Sequence, residues 1–92
     1  MQIKWLRRAL RNLEQAHNYV FQENPTAAQE LIIKIQNAAN QLEKYPFMGK
    51  NGRIEGTREL IISHSPYILI YRVKEESVEI LRILHTSKRY PK

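Results

Sequence analysis

Three short apolar segments fill most of the last third of the chain. They are residues 58–63, 67–73 and 78–84. The polar breaks between them, at Ser65-Pro66 and at residues 74–77, have the composition of turns. Short apolar runs bounded by turns are typical of antiparallel strands. The pattern predicts an antiparallel sheet, and it places a histidine, two cations and a tyrosine together where the sheet ends, in residues 85–91.

Apolar side chains recur every three or four residues in two stretches that precede the sheet. The first stretch contains Leu6, Leu10, Leu13, Ala16 and Val20. It predicts a helix from Leu6 to about Asn24. A second helix begins at once, because Asn24 supplies a capping side chain and Pro25 fits the first turn. This helix ends at Lys44, since the residue before Pro46 disfavours the helical conformation.

The remaining segments complete the predicted fold. Residues 1–5 predict a very short opening strand, and residues 46–56, which contain all three glycines, predict a loop without the spacing of a phosphate-binding loop. The predicted fold is α+β, with an N-terminal helical hairpin packed on a small antiparallel β-sheet in the order β-α-α-β-β-β. We expect residues 1–92 to form a single domain, with the sheet face away from the helices open to a partner.

Charge and composition limit the possible partners. Fifteen Lys and Arg residues against nine Asp and Glu give a formal net charge of +6, which favours nucleic acid or an acidic protein. The chain has no cysteine and only three scattered histidines, so we expect no disulfide, no metal site and no cofactor. No apolar run approaches the roughly 20 residues that span a bilayer, so we expect a cytoplasmic protein without a membrane partner.

Several short motifs stand in a fixed order in the last third of the chain. They are Arg58-Glu59-Leu60, the paired tyrosines Tyr67 and Tyr71 before Arg72, and Ile83-Leu84-His85 ahead of a basic tail that ends in proline. With the helical hairpin and the basic glycine loop before them, these motifs resemble the RelE/ParE superfamily of bacterial toxins. The resemblance covers nearly the whole chain. It implies the growth-arresting toxin of a type II toxin–antitoxin system.

The resemblance also implies partners. A cognate antitoxin, encoded beside the toxin, folds a disordered acidic or amphipathic segment over it, and the net charge of +6 agrees with such a partner. The toxin would reach operator DNA only through the antitoxin. Relatives of the RelE type are endoribonucleases that cleave messenger RNA on the ribosome, and relatives of the ParE type poison DNA gyrase. Fold alone does not decide between them.

Three positions favour the ParE type. RelE-type nucleases place a basic side chain directly after the residue that opens the penultimate strand, and RelE itself carries two lysines on the preceding strand. In this chain those positions hold Ile68, Glu59 and Ile61. RNA cleavage needs cations to offset the charge that develops on phosphorus. The resemblance therefore indicates a gyrase poison that acts by binding rather than by turnover.

The nuclease alternative depends on His85, which stands where some nuclease relatives carry a histidine that could act as a general acid. Its other interpretation is a structural hydrogen bond that fixes the tail. Candidate target- or phosphate-binding residues are Arg58, Arg72, Arg82, Lys88, Arg89 and Tyr90. Strand alternation places Arg82 with Ile80 and Leu84, on the face opposite His85, unless the strand bulges.

Strand alternation also assigns faces to the middle segment. Tyr67 and Tyr71 fall on one face with apolar neighbours, which predicts that both pack in the core. Arg72 falls on the other face, where it can pair with Glu79 across the turn.

A second basic cluster precedes the first acidic residue of the chain. It consists of Lys4, Arg7, Arg8 and Arg11. Cations in the first turns of a helix oppose its dipole, so helix stability does not account for them. Contact with an acidic antitoxin or with a target is one interpretation of this cluster, and solvated side chains screened by salt are the other; we take its four residues as candidate antitoxin contacts. A third interpretation of the chain is a nucleic-acid-binding module without toxicity, in which both basic clusters form one electrostatic stripe.

Overall fold

A five-stranded mixed sheet and a helical hairpin make up the computed structural model, which describes residues 1–91. The elements are β1 Gln2–Trp5, α1 Arg7–Phe21, α2 Pro25–Lys44, β2 Lys50–Asn51, β3 Arg58–Ile61, β4 Tyr67–Lys74 and β5 Ser77–His85. The strand order is β1-β5-β4-β3-β2. The predicted α+β architecture is confirmed. Within the described residues, neither helix combines the length and apolar character that crossing a bilayer requires.

The sheet differs from the prediction at its two edges. β1 runs parallel to β5, whereas the other neighbouring pairs are antiparallel. β2 is a two-residue strand inside the segment predicted as a loop, and it pairs with β3. α1 ends at Phe21 rather than near Asn24, because Asn24 is already extended and its side chain accepts a hydrogen bond from the Ala27 N–H at 3.0 Å. That bond caps α2.

The core lies between the helices and the face of the sheet that we call the inner face. Small side chains let the two helices approach closely; the buried ones are Ala9, Ala16, Ala28 and Ala39. Tyr67 and Tyr71 belong to the core, as predicted. Tyr71 is fully buried, and its hydroxyl oxygen accepts a hydrogen bond from the Gly49 N–H at 2.9 Å. Leu10, predicted to be buried, is half exposed.

The opposite side, which we call the outer face, carries a second apolar cluster. Ile68, Ile70 and Leu84 are at most 6% exposed, and partly buried Leu81 and Tyr90 pack against them. Because Tyr90 belongs to the C-terminal tail, the tail lies across this part of the sheet. The outer face, which we expected to be open to a partner, is therefore partly covered by the tail.

A register shift in β5 changes which side chains share a face. Ile70 pairs with Arg82, but the next residue of β4, Tyr71, pairs with Ile80. Leu81 is thus an extra residue, and the strand bulges there. Ile80 joins the core, while Arg82 lies opposite Ile70 at the sheet edge. The prediction that Arg82 shares a face with Ile80 was wrong for this reason.

Candidate functional site

A cavity of about 440 Å³ lies where the end of β5 passes α1. Its polar and aromatic lining includes Asn12, Tyr19, Tyr67, Arg82, His85 and Lys88. None of the described residues that line it is acidic. Arg82 and His85 both line this cavity, so this is the place where the predicted site residues come closest to forming a group. Three groups able to carry positive charge converge there without a counter-ion.

Arg82 is held in place by α1. Its Nε donates to Asn12 Oδ1 at 2.9 Å, and the backbone N–H of Ile83 donates to the same oxygen at 3.2 Å. Burial, and then the charge of Arg8, lower the pKa of Arg82 from its usual value. The sequence reasoning missed Asn12. Its only signal is a polar side chain between the buried positions Ala9 and Ala16 of α1.

His85 makes the contacts expected of a structural residue. Its Nδ1 accepts hydrogen bonds from the Ser87 backbone N–H at 3.0 Å and from the Ser87 hydroxyl at 2.7 Å. The Tyr67 ring packs edge-on at a centroid distance of 5.2 Å. A backbone N–H can only donate, so Nδ1 is the acceptor of the contact with the Ser87 backbone. These contacts fix the start of the tail.

Arg58 and Arg72 lie away from the cavity, and each already has partners. Arg58 Nη1 donates to the Gly49 carbonyl at 2.7 Å and to the Phe47 carbonyl at 3.3 Å, with its guanidinium 5.0 Å from the centre of the Phe47 ring. Arg72 Nε donates to Glu79 Oε1 at 2.5 Å, the pairing predicted from the sequence. This hydrogen bond is the main cause that lowers the pKa of Glu79.

The tail places its three candidate residues differently. Lys88 is exposed and lines the cavity, Arg89 is exposed, and Tyr90 is half-buried on the outer face. The cavity therefore collects His85, Arg82 and Lys88. It does not include Arg58 or Arg72.

The positions at which RelE-type nucleases carry cations meet on the outer face. Glu59 pairs with Ile70, and Ile61 pairs with Ile68, so these side chains share one face of the sheet. Glu59 is 2% exposed and Ile68 is 6% exposed, whereas Ile61 is 64% exposed. Arg53 compensates the Glu59 carboxylate at a distance of 3.3 Å. This part of the face carries a compensated carboxylate and two apolar side chains.

The basic cluster at the start of α1 is a separate surface. Its members, Lys4, Arg7, Arg8 and Arg11, are all exposed. In the part of the chain that the structure describes, none of them lies within ion-pair distance of a carboxylate. Across residues 1–91 there is also no group of three or more His, Cys, Asp or Glu side chains that could hold a metal ion.

Comparison with known proteins gives consistent matches over the whole fold. The family model described as the ParE toxin of the type II toxin–antitoxin system parDE matches residues 3–90. The candidate toxin Y4kP of Sinorhizobium fredii is 39% identical over 97% of this chain and 92% of its own length. Toxin RelE2 of Caulobacter vibrioides is 34% identical over 95% of this chain and 97% of its own. A solved structure titled as the chromosomal ParDE system of P. aeruginosa superposes with a TM-score of 0.85 at 25% identity, covering 92% of this chain and 95% of that one.

Proposed function

This chain belongs to the ParE toxin family of type II toxin–antitoxin systems, and from that premise we propose that it arrests growth by binding and poisoning DNA gyrase. A cognate antitoxin holds it inactive. The observation that supports binding over catalysis is the composition of the outer face. Where RelE-type nucleases need cations, this chain has Glu59, Ile61 and Ile68.

These three positions matter because RNA cleavage needs positive charge at the phosphate. Cleavage of RNA builds negative charge on the phosphate oxygens, and preorganised cations stabilise that charge. A lysine or arginine at Ile68 would have to emerge from beneath the tail, since this position is 6% exposed. Glu59 brings a negative charge to the same surface. The face is therefore poorly suited to phosphate chemistry and well suited to packing against a protein.

Purified toxin tests the proposal directly. We expect it to inhibit supercoiling by gyrase and to accumulate cleaved DNA, whereas it leaves ribosome-bound messenger RNA intact. In cells, pulse labelling after induction without antitoxin should show DNA synthesis falling before protein synthesis. Unchanged supercoiling and cleavage at saturating toxin would reject the gyrase target.

Charge-matched variants locate the surface that contacts gyrase. The double substitution of Lys88 and Arg89 by alanine removes two exposed cations from the tail, and we expect it to abolish gyrase inhibition. The double substitution of Lys34 and Lys44 by alanine removes two exposed cations from α2, on the other side of the sheet, and should leave inhibition intact. Equal loss in both variants would show a nonspecific effect of net charge.

The second candidate function is a ribosome-dependent endoribonuclease. The observation that favours it is the cavity that Arg82, His85 and Lys88 line together. Substitution of His85 by alanine should lower messenger cleavage by about 100-fold or more if the ring is a general acid. Substitution by asparagine restores an acceptor near Nδ1 but cannot transfer a proton. Cleavage that survives in the asparagine variant would assign His85 a structural role.

For the antitoxin, we propose that its acidic segment contacts the basic cluster at the start of α1. The cluster is exposed and has no carboxylate partner within the described residues, so binding leaves no existing ion pair to break. Replacing Arg7 and Arg11 by glutamine should lower the association rate and its salt dependence. Antitoxin binding that remains equally salt-dependent would place the acidic segment elsewhere.

A further inference from the structure

The C-terminal tail, residues 86–91, folds back across the outer face and covers it. No helix packs on this side among the described residues, yet Ile68, Ile70 and Leu84 are at most 6% exposed. Tyr90 is the tail residue that packs against them. The burial of this cluster therefore depends on where the tail lies, and the tail carries the exposed cations Lys88 and Arg89.

A single side chain, that of Arg53, holds the end of the tail. Its Nη1 donates to the Tyr90 carbonyl oxygen at 2.9 Å, and its guanidinium carbon lies 5.6 Å from the centre of the Tyr90 ring. The first contact fixes the backbone, and the second fixes the ring by a cation–π interaction. Both come from a residue 37 positions earlier in the chain.

Arg53 is oriented in turn by the buried carboxylate of Glu59. Glu59 Oε2 accepts a hydrogen bond from the Arg53 backbone N–H at 3.0 Å, and Arg53 Nη2 lies 3.3 Å from Oε1. Oε1 itself accepts no hydrogen bond within residues 1–91, so Arg53 is the countercharge of this oxygen. The guanidinium faces Glu59 with one nitrogen and Tyr90 with the other. The guanidinium presents these donors from separate nitrogens in a fixed plane, whereas a lysine would have to reach both partners from one nitrogen.

We propose that Arg53 and Glu59 are positioning residues that hold the C-terminal tail on the outer face and thereby fix Lys88 and Arg89 for the target. The placement of the tail follows from the contacts between Arg53 and Tyr90 alone. Its importance for toxicity rests on the proposed function, in which the outer face and the tail contact the target. Glu59 then has a structural task at the position where RelE-type nucleases carry a lysine.

Limited trypsin digestion measures the placement of the tail, because trypsin cleaves after Lys88 and after Arg89. In the variants Arg53→Ala and Arg53→Lys we expect release of the tail to be faster by about fivefold, the factor for one net hydrogen bond. Arg53→Lys keeps the charge but cannot donate from two nitrogens at once. Lys44→Ala is the control, since it removes an exposed cation from the end of α2, on the other side of the sheet. Mass spectrometry quantifies both products. Cleavage after Lys34, which lies inside α2, measures global unfolding.

The same variants are then induced in cells without antitoxin. We expect Arg53→Ala and Arg53→Lys to lose growth arrest while Lys44→Ala retains it. Tail cleavage that stays at the rate of Lys44→Ala, or rises only together with cleavage after Lys34, would overturn the placement by Arg53. Faster tail cleavage with undiminished growth arrest would show that toxicity does not need the tail to be held in place. If the native toxin arrests growth without affecting gyrase, the proposed target fails, but this comparison remains valid because it does not depend on the target.

Discussion

Replacement of Asn12 by alanine should destabilise the protein more than any other exchange of a partly exposed polar residue on α1. Asn12 Oδ1 accepts two hydrogen bonds, from Arg82 Nε and from the N–H of Ile83. Ile83 is 3% exposed, so without Asn12 its N–H loses its acceptor in a buried place. An unsatisfied buried donor costs about 1–3 kcal/mol. Arg82 keeps some access to solvent and adds less.

We therefore expect Asn12→Ala to lower the free energy of unfolding by about 2 kcal/mol, a substantial part of the roughly 5–15 kcal/mol typical of a domain. Asn12→Asp keeps the acceptor and places a negative charge beside Arg82, so its stability should remain within about 0.5 kcal/mol of the native protein or exceed it. Gln15→Ala is the matched control. It removes an exposed amide from the same helix, and this amide makes no hydrogen bond within residues 1–91.

Urea unfolding followed by the fluorescence of Trp5, the only tryptophan of the chain, measures these differences. Trp5 lies at the end of β1 and packs against the core, so its emission reports loss of the tertiary structure. If Asn12→Ala is as stable as Gln15→Ala, Asn12 does not anchor the bulged end of β5. In that case α1 does not position Arg82 in the cavity.

Three further predictions concern the support of the site. Tyr71→Phe leaves the N–H of buried Gly49 without its acceptor and should lower the free energy of unfolding by about 1–2 kcal/mol in the same assay. Gly49→Ala places a Cβ atom 2.8 Å from the Tyr71 ring and 2.9 Å from the Glu59 carbonyl, so overpacking should cost about 1–3 kcal/mol. The hydrogen bond from Arg72 lowers the pKa of Glu79, so the ionised Glu79 stabilises the fold above the ordinary glutamate range, and this stabilisation is lost as the pH falls through the lowered pKa. In Glu79→Gln this loss of stability in acid should disappear from urea unfolding curves measured over a series of pH values. An identical pH profile in the variant would contradict this linkage.

The sequence predicted the parts of the fold that local signals determine. The cap at Asn24, the break at Pro46 and the spacing of apolar residues predict both helices to within a few residues. Alternation in β4 correctly assigns Tyr67 and Tyr71 to the core, because this strand is regular along its whole length. These features depend on neighbours in the sequence, which is why one chain without relatives is enough to predict them.

The site could not be predicted to the same extent, because it depends on an irregularity and on distant contacts. One extra residue at Leu81 moves Arg82 off the face of Ile80, and Asn12, 70 positions earlier in the chain, holds its side chain at the cavity of His85. No local turn signal marks this bulge. The clamp of Tyr90 by Arg53 joins residues 37 positions apart through a backbone carbonyl, and no side-chain pattern in the sequence reports such a contact.

Replacing Glu59 alone by lysine would not turn the outer face into a phosphate-binding surface. The carboxylate is 2% exposed and lies beside Arg53, the side chain that also holds Tyr90. A lysine at this position would bring a second cation against Arg53 in a place without solvent, and the repulsion would act directly on the tail clamp. A phosphate-binding face would also need a cation in place of Ile68, beneath Tyr90. Glu59 and Ile68 occupy the positions where a phosphate-binding face would need cations, and both also support the tail: Glu59 through Arg53, and Ile68 through the cluster that packs against Tyr90.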